Sequence, residues 1–165
     1  MNRRVFVMRV GAAAASATIA LGKEQSAAEP WPQSALMSPA ALAKKLNSEG
    51  ARPAVLCVAF PVLYRQRHII HAEFAGPGSS AEGIESLKKA AANLQKNEEI
   101  VIYCGCCPMV DCPNVRPAYS TLTKLGFTNV KVLDIPTNFH TDWVAKGYPV
   151  EEQLGVPIGP AARPK

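Results

Sequence analysis

The sequence has no basic stripe, no internal repeat and no long uninterrupted hydrophobic run. Outside the first 28 residues, 14 basic and 12 acidic side chains nearly balance, which argues against a nucleic-acid partner. The apolar N-terminal stretch, 5–22, contains Arg9, so we expect no stable membrane span. What remains is a chain of 165 residues, 48% apolar and 19% charged, which is enough for one folded domain.

The first 28 residues have the pattern of an export signal. A paired arginine precedes the mildly apolar stretch, and small residues at 26–28 end it, so we expect cleavage near Ala28. Arg3-Arg4-Val5-Phe6 also resembles a twin-arginine signal, with the general secretory route as the alternative. Either route predicts a protein exported to the periplasm of a bacterium.

Apolar runs and helix-start signals alternate along the rest of the chain, between an extended arm at 29–37 and a Pro/Gly-rich tail at 153–165. This alternation predicts an α/β domain of three layers, with a mostly parallel central sheet flanked by helices. The predicted elements are a helix at 38–48 capped by Ser38, a strand at 54–58, a loop at 60–67, a short strand at 69–74, a helix at 80–96 capped by Ser79, a strand at 100–103, a helix at 114–125 ended by Gly126, a strand at 130–133 and a helix at 138–146 capped by Thr137.

Four of the five cysteines lie in one loop that begins where the strand at 100–103 ends. Cys104, Cys106, Cys107 and Cys112 have the spacing C-x-C-C-x4-C. In a parallel sheet, ligands bind beyond the carboxyl ends of the strands, and Cys104 occupies such an end. A thiolate at the start of a helix is stabilised by the helix dipole and by unpaired backbone N–H groups, which lower its pKa. The loop therefore predicts sulfur-centred chemistry.

Several segments together resemble a single rhodanese-like domain over about residues 38–152. They are His68-Ile69-Ile70-His71-Ala72, Ile100-Val101-Ile102-Tyr103-Cys104, Leu125-Gly126-Phe127 with Val130-Lys131-Val132-Leu133, and Trp143 with Gly147-Tyr148-Pro149-Val150. The resemblance implies a sulfurtransferase in which Cys104 takes a sulfane sulfur as a persulfide. The donor would be a small sulfur anion, thiosulfate or polysulfide, and the acceptor a thiol. Gly105 and the loop after it would present backbone N–H groups to the sulfur.

The chain differs from the usual family pattern at two places. Its active loop is about five residues longer, and Cys57-Val58-Ala59 stands where the family has Asp-Val-Arg on the first core strand. A cysteine-dependent phosphatase, which shares this fold, needs an arginine six residues after the nucleophile. Val110 occupies that position and Arg116 lies twelve residues past Cys104, which excludes this class.

Two further chemistries compete for the loop cysteines. Cys106, Cys107 or Cys112 could resolve the persulfide, or pair as a disulfide that staples the loop. Alternatively, the loop is a non-catalytic thiol-redox or soft-metal module in which Cys104 and these three bind copper, zinc or an iron–sulfur cluster. The spacing lacks the paired C-x2-C of structural zinc sites, so we expect no cofactor.

Three other residues are candidates around the loop. Arg116 could bind an anionic substrate from the first helical turn, or be a solvated surface residue. His140 could act as an acid, a base or an extra ligand, or simply pack. Cys57 is expected to be a buried inert thiol, with a role as partner of the loop as the alternative.

Overall fold

The main sheet explains how distant parts of the chain come to one edge. A computed structural model describes residues 31–152, where five strands are arranged in the order β1-β6-β5-β2-β4, and every pairing between them is parallel. A separate antiparallel pair is formed by β3 and β7. The strands are β1 Leu36–Met37, β2 Ala54–Cys57, β3 His68–Ile69, β4 Glu73–Phe74, β5 Ile100–Tyr103, β6 Val130–Leu133 and β7 Val150–Glu151.

Helices flank this sheet and confirm the predicted α/β fold. The helices are α1 Pro39–Leu46, α2 Pro61–Gln66, α3 Ala81–Ala91, α4 Val115–Lys124 and α5 Phe139–Asp142, with 3-10 turns at Gln33–Ala35, Met109–Asp111 and Val144–Lys146. The strands β2 and β5 are buried at every position, as expected for a parallel sheet covered on both faces. Trp143 is fully buried in the core.

The segment predicted as a loop at 60–67 is instead mostly helix α2. Pro61 starts this helix, because its fixed φ suits the first turn and its missing N–H has no role there. The helix is only six residues long, and Phe60 and Val62 are exposed, so it lacks the apolar periodicity that would reveal it in the sequence.

The short strand predicted at 69–74 is two strands in different sheets. His71 lies between them with a φ of 62°, a left-handed turn that separates β3 from β4. The segment predicted as an extended arm, 29–37, also differs in its described part. It contains a 3-10 turn and β1, which pairs with β6 at the edge of the main sheet.

Helix caps are shifted by one residue at two of the three predicted positions. Ser38 caps α1 as predicted, but Ser80 rather than Ser79 caps α3, accepting from the Gly83 N–H at 3.0 Å. Asn138 rather than Thr137 caps α5, accepting from the Thr141 N–H at 2.9 Å. The predicted helix at 80–96 ends earlier, at Ala91.

The expected signal peptide at 1–28 and the tail at 153–165 lie outside the described residues. Within residues 31–152, no helix has both the length and the apolar character that crossing a bilayer requires.

The two adjacent serines before α3 give a matched test of the capping assignment. Replacing Ser80 with alanine removes the acceptor for the Gly83 N–H, so the free energy of unfolding should fall by about 1 kcal/mol. The exposed Ser79 uses its backbone N–H for the Asn114 side chain, so Ser79→Ala should change the stability by less than about 0.5 kcal/mol. Urea unfolding measures both, and a larger loss in the Ser79 variant would refute the assignment.

Candidate active site

The carboxyl ends of β2 and β5 form the floor of a cavity. Cys57 pairs with Tyr103 in the sheet register, so Cys57 and Cys104 reach the same edge on neighbouring strands. The cavity has a volume of about 400 Å³ and is bounded by Tyr64 and Arg67 on one side and by Phe139 and His140 on the other. Both cysteines line it. The sulfur-bearing edge of the sheet is therefore open to a small molecule.

Cys104 lies at this edge with two close neighbours. Cys104 is only 5% exposed, so any molecule that reaches its thiol must come through the cavity. The Asn114 Nδ2 donates to the Cys104 Sγ at 3.3 Å, and the Cys104 Sγ donates to the Cys106 Sγ at 3.2 Å. A buried N–H donor beside the sulfur stabilises negative charge on it.

Asn114 is the site residue that sequence reasoning did not identify. It is fully buried, and its Oδ1 accepts from the Ser79 N–H at 3.0 Å. Because the oxygen must face that donor, the amide nitrogen must face the Cys104 sulfur, which settles the orientation of the side chain. Its only signal in the sequence is its position just before α4. The partner Ser79 is 35 residues away, so the contact depends on the tertiary fold.

Gly105 makes the turn that follows Cys104. Its φ is 81°, a left-handed value that glycine adopts without strain. A Cβ at this position would lie 2.7 Å from the Phe139 Cβ, and the Phe139 N–H donates to the Gly105 carbonyl oxygen at 3.1 Å. Gly105 therefore joins the loop to α5.

The longer loop does not lead directly from Cys104 into a helix. Its extra residues form the 3-10 turn Met109–Asp111, which is attached to the sheet by a hydrogen bond from the Met109 N–H to the Ile135 carbonyl oxygen at 2.8 Å. As a result, the backbone N–H groups of Asn114 and Val115 at the start of α4 donate to the Cys112 sulfur. The helix start thus donates to Cys112, and the donor at the Cys104 sulfur is the side chain of Asn114.

All five cysteines are free thiols, and their environments differ. Burial raises the pKa of Cys57 to about 11 and that of Cys106 to about 12, and it raises the pKa of Cys107 as well. Hydrogen bonding with Cys104, together with burial, raises the pKa of Cys112. These four thiols therefore hold their protons at neutral pH unless something replaces those protons.

Three of the four loop sulfurs converge. The Sγ atoms of Cys104, Cys106 and Cys112 all lie within 4.8 Å of one another, whereas Cys107 is outside this group. The Cys107 sulfur contacts Cys106 at 3.2 Å. These three sulfurs are the atoms that could hold a metal ion.

Of the two predicted accessory residues, His140 and Arg116, the structure places only the first at the cavity. His140 lines the cavity beside Cys104. Arg116 is not among the described residues that line the cavity, because its guanidinium lies over the Trp31 ring, 4.5 Å from the centroid. The arginine at the cavity is Arg67, whose guanidinium pairs with Glu152 at 2.6 Å. It follows the unpredicted helix α2, so the sequence did not indicate it.

Comparison with solved structures identifies the fold class as rhodanese-like. No family model matches the sequence, and no curated protein matches it. The solution structure of the rhodanese-like domain of the Alr3790 protein from Anabaena sp. aligns with a TM-score of 0.53 at 20% identity, over 79% of this chain and 90% of that domain. The fold of this chain is therefore rhodanese-like, as the resemblance in the sequence implies.

Two other solved structures are similar. The BH2092 protein from Bacillus halodurans aligns with a TM-score of 0.58 at 24% identity, over 73% of this chain and 79% of that one. A thiosulfate sulfurtransferase from Pseudomonas aeruginosa aligns with a TM-score of 0.54 at 26% identity, over 76% of this chain. The aligned part is 21% of that enzyme, so this chain corresponds to only one portion of it.

The contact between Asn114 and Cys104 predicts that this amide supports the reactivity of the thiol. In Asn114→Asp, an oxygen can still accept from Ser79, but a second oxygen replaces the N–H donor beside the sulfur. A hydrogen bond to a charged group contributes about 1.5–3 kcal/mol, so the alkylation rate of Cys104 at a fixed pH should fall by about tenfold to a hundredfold. Asn114→Ala should give a smaller decrease. Iodoacetamide labelling with peptide mapping measures the rate.

Asn138→Asp is the matched control for that measurement. Asn138 lines the same cavity, and an aspartate there can still cap α5. It adds a carboxylate to the cavity while leaving the donor of Asn114 in place, so the alkylation rate should fall by less than in Asn114→Asp. An unchanged alkylation rate in both Asn114 variants would show that this amide does not support the sulfur.

Proposed function

We propose that this chain is an exported rhodanese-like sulfurtransferase that carries sulfane sulfur as a persulfide on Cys104. The observation that carries the proposal is the position of the Cys104 sulfur at the carboxyl end of β5, lining a cavity and receiving the Asn114 N–H. The rhodanese-like fold supports sulfur transfer in general. One of the similar structures is itself a thiosulfate sulfurtransferase, although the shared identity is 26%.

In the first half of the reaction, the Cys104 thiolate attacks the outer, sulfane sulfur of thiosulfate. The new bond joins that sulfur to Cys104, the S–S bond of thiosulfate breaks, and sulfite leaves with the bonding electron pair. Polysulfide would react in the same way with a shorter polysulfide as the leaving group. The amide of Asn114 supports the charge on the Cys104 sulfur before the attack.

In the second half, a thiol acceptor attacks the outer sulfur of the persulfide and takes it away, so Cys104 returns as a thiolate. A neighbouring loop thiol could instead attack the inner sulfur, releasing hydrogen sulfide and leaving a disulfide with Cys104. Cys106 at 3.2 Å and Cys112 within 4.8 Å are close enough for this. The Cys107 sulfur contacts the Cys106 sulfur at 3.2 Å and hydrogen-bonds with Cys112, but it lies outside the group of three sulfurs.

The cavity walls suit a small anion that approaches Cys104. Arg67, which pairs with Glu152, brings a guanidinium with N–H donors to one side, and His140 brings ring nitrogens that can hydrogen-bond to the other. Arg67 replaces Arg116 as the candidate for substrate binding, since the Arg116 guanidinium stacks on Trp31 instead.

The proposal predicts a single essential thiol. After incubation with thiosulfate, Cys104 should gain about 32 daltons by mass spectrometry. Replacing Cys104 with serine should abolish this gain and lower sulfur transfer to a thiol by more than about a thousandfold, because the nucleophile is lost. Single serine replacements at Cys106, Cys107 and Cys112 should have partial effects. Equal turnover with and without Cys104 would defeat the assignment.

A non-catalytic thiol-redox or soft-metal module remains the second candidate. The convergence of three loop sulfurs favours it, because soft metals prefer thiolate ligands. Stoichiometric metal in protein purified without chelator, together with no persulfide after thiosulfate treatment, would favour this second function over the first.

The location follows from the leader and is part of the proposal. With residues 1–28 present, the mature chain should be recovered from the periplasmic fraction of a bacterial host. Replacing Arg3 and Arg4 together with lysine should retain it in the cytoplasm if the twin-arginine route is used, and should leave export unchanged on the general secretory route. Recovery of uncleaved chain in the cytoplasm with the native leader would contradict export.

A further inference from the structure

The fold brings three cysteines together from separate parts of the loop. Cys104 is fixed by its position at the end of β5, and the turn at Gly105 returns the chain so that the Cys106 sulfur contacts it at 3.2 Å. The 3-10 turn Met109–Asp111, which is hydrogen-bonded to Ile135, then positions Cys112. The turn at Gly105 and the hydrogen bond to Ile135 therefore bring the three sulfurs together, in addition to their closeness in sequence.

The sulfurs of this group also have N–H donors around them. The Asn114 Nδ2 donates to the Cys104 sulfur, and the backbone N–H groups of Asn114 and Val115 donate to the Cys112 sulfur. These last two belong to the positive N-terminal end of the ten-residue helix α4. Donors of this kind orient metal-bound thiolates and reduce their excess negative charge.

We propose that Cys104, Cys106 and Cys112 bind one copper(I) ion as three thiolates. Sulfur is the ligand that soft monovalent copper prefers, and three convergent sulfurs match its three-coordinate geometry. Zinc in closed protein sites takes four ligands, and no histidine or carboxylate of residues 31–152 joins this group within the same 4.8 Å. Cys107 is excluded from the ligand set, although it adjoins Cys106 in sequence.

Binding is redox-neutral and exchanges protons for metal. The thiols of Cys104, Cys106 and Cys112 lose their protons, three copper–sulfur bonds form, and copper stays monovalent. Cys106 is exposed and gives the ion a route to the two buried sulfurs. Because protons compete with the ion for the sulfurs, copper affinity should rise with pH.

Copper binding does not depend on the proposed sulfur transfer, but the two exclude each other. The Cys104 sulfur cannot carry a persulfide and bind the copper ion at the same time. Copper(I) should therefore protect Cys104 from labelling by thiosulfate, and a chelator should restore it. Metal binding is measured without turnover, so its failure and the failure of sulfur transfer are separate results.

The test titrates the reduced full chain with copper(I) without oxygen, against the coloured chelator bicinchoninate. One ion per chain is expected, and X-ray absorption should show only sulfur neighbours, three in number. Replacing Cys104, Cys106 or Cys112 singly with serine removes a copper ligand. Each change should reduce the copper affinity by more than the loss of a hydrogen-bond partner of a ligand does, which is typically roughly 10–100-fold. Asn114→Ala should fall within that 10–100-fold range, since it removes such a partner of Cys104.

Cys107→Ser is the matched control, because it changes a thiol of the same loop that lies outside the three-sulfur group. The serine hydroxyl can still hydrogen-bond to the Cys106 sulfur, so the copper affinity should fall by less than about tenfold. The exposed Cys106 provides the variant least prone to misfolding, so the proposal does not depend on the buried positions alone. Wild-type affinity in Cys106→Ser, an equal loss in Cys107→Ser, or tighter binding of zinc than of copper(I) would each overturn the assignment.

Discussion

A buried amide must satisfy both of its ends, and in this protein that requirement connects three separate segments. The oxygen of Asn114 holds the backbone before α3 at Ser79, and its nitrogen holds the sulfur at the end of β5. The close approach depends on Gly78, where a Cβ would overlap the Asn114 carbonyl oxygen. Leaving such a group without partners costs about 1–3 kcal/mol, so the contact fixes the start of α4 and the position of Cys104 together.

The cysteine loop beside this amide is long, but hydrogen bonds to other segments hold its conformation. Its first turn is joined to α5 through Gly105 and Phe139, and its middle to the segment after β6 through Met109 and Ile135. Tyr103, Phe139 and Trp143 stack in series behind the turn, so α5 is supported by the aromatic core. The thiols are thus held near one another by a rigid frame, which both sulfur transfer and metal binding require.

The sequence allowed the central strands to be predicted because a parallel sheet needs continuous apolar runs, and 100–103 and 130–133 have them. Gly126 marked the end of α4 because its φ of 88° suits glycine. Helix α2 has only six residues, which carry too little periodicity to predict it. Ser79 fits a capping box with Glu82, but the adjacent Ser80 is the cap in the structure. The position of Cys104 at the end of β5 followed from the predicted strand, but Asn114 and Arg67 depend on contacts between distant segments that local patterns do not encode.

The antiparallel pair of β3 and β7 ties the end of the described chain to the cavity. Val150 pairs with Ile69, and Glu152 holds the guanidinium of Arg67 at the cavity wall. An affinity tag or a fusion partner joined close behind Glu152 would therefore pull on the cavity wall. Any assay of such a chimera would report the linker as well as the domain, whereas a spacer would relieve that mechanical load.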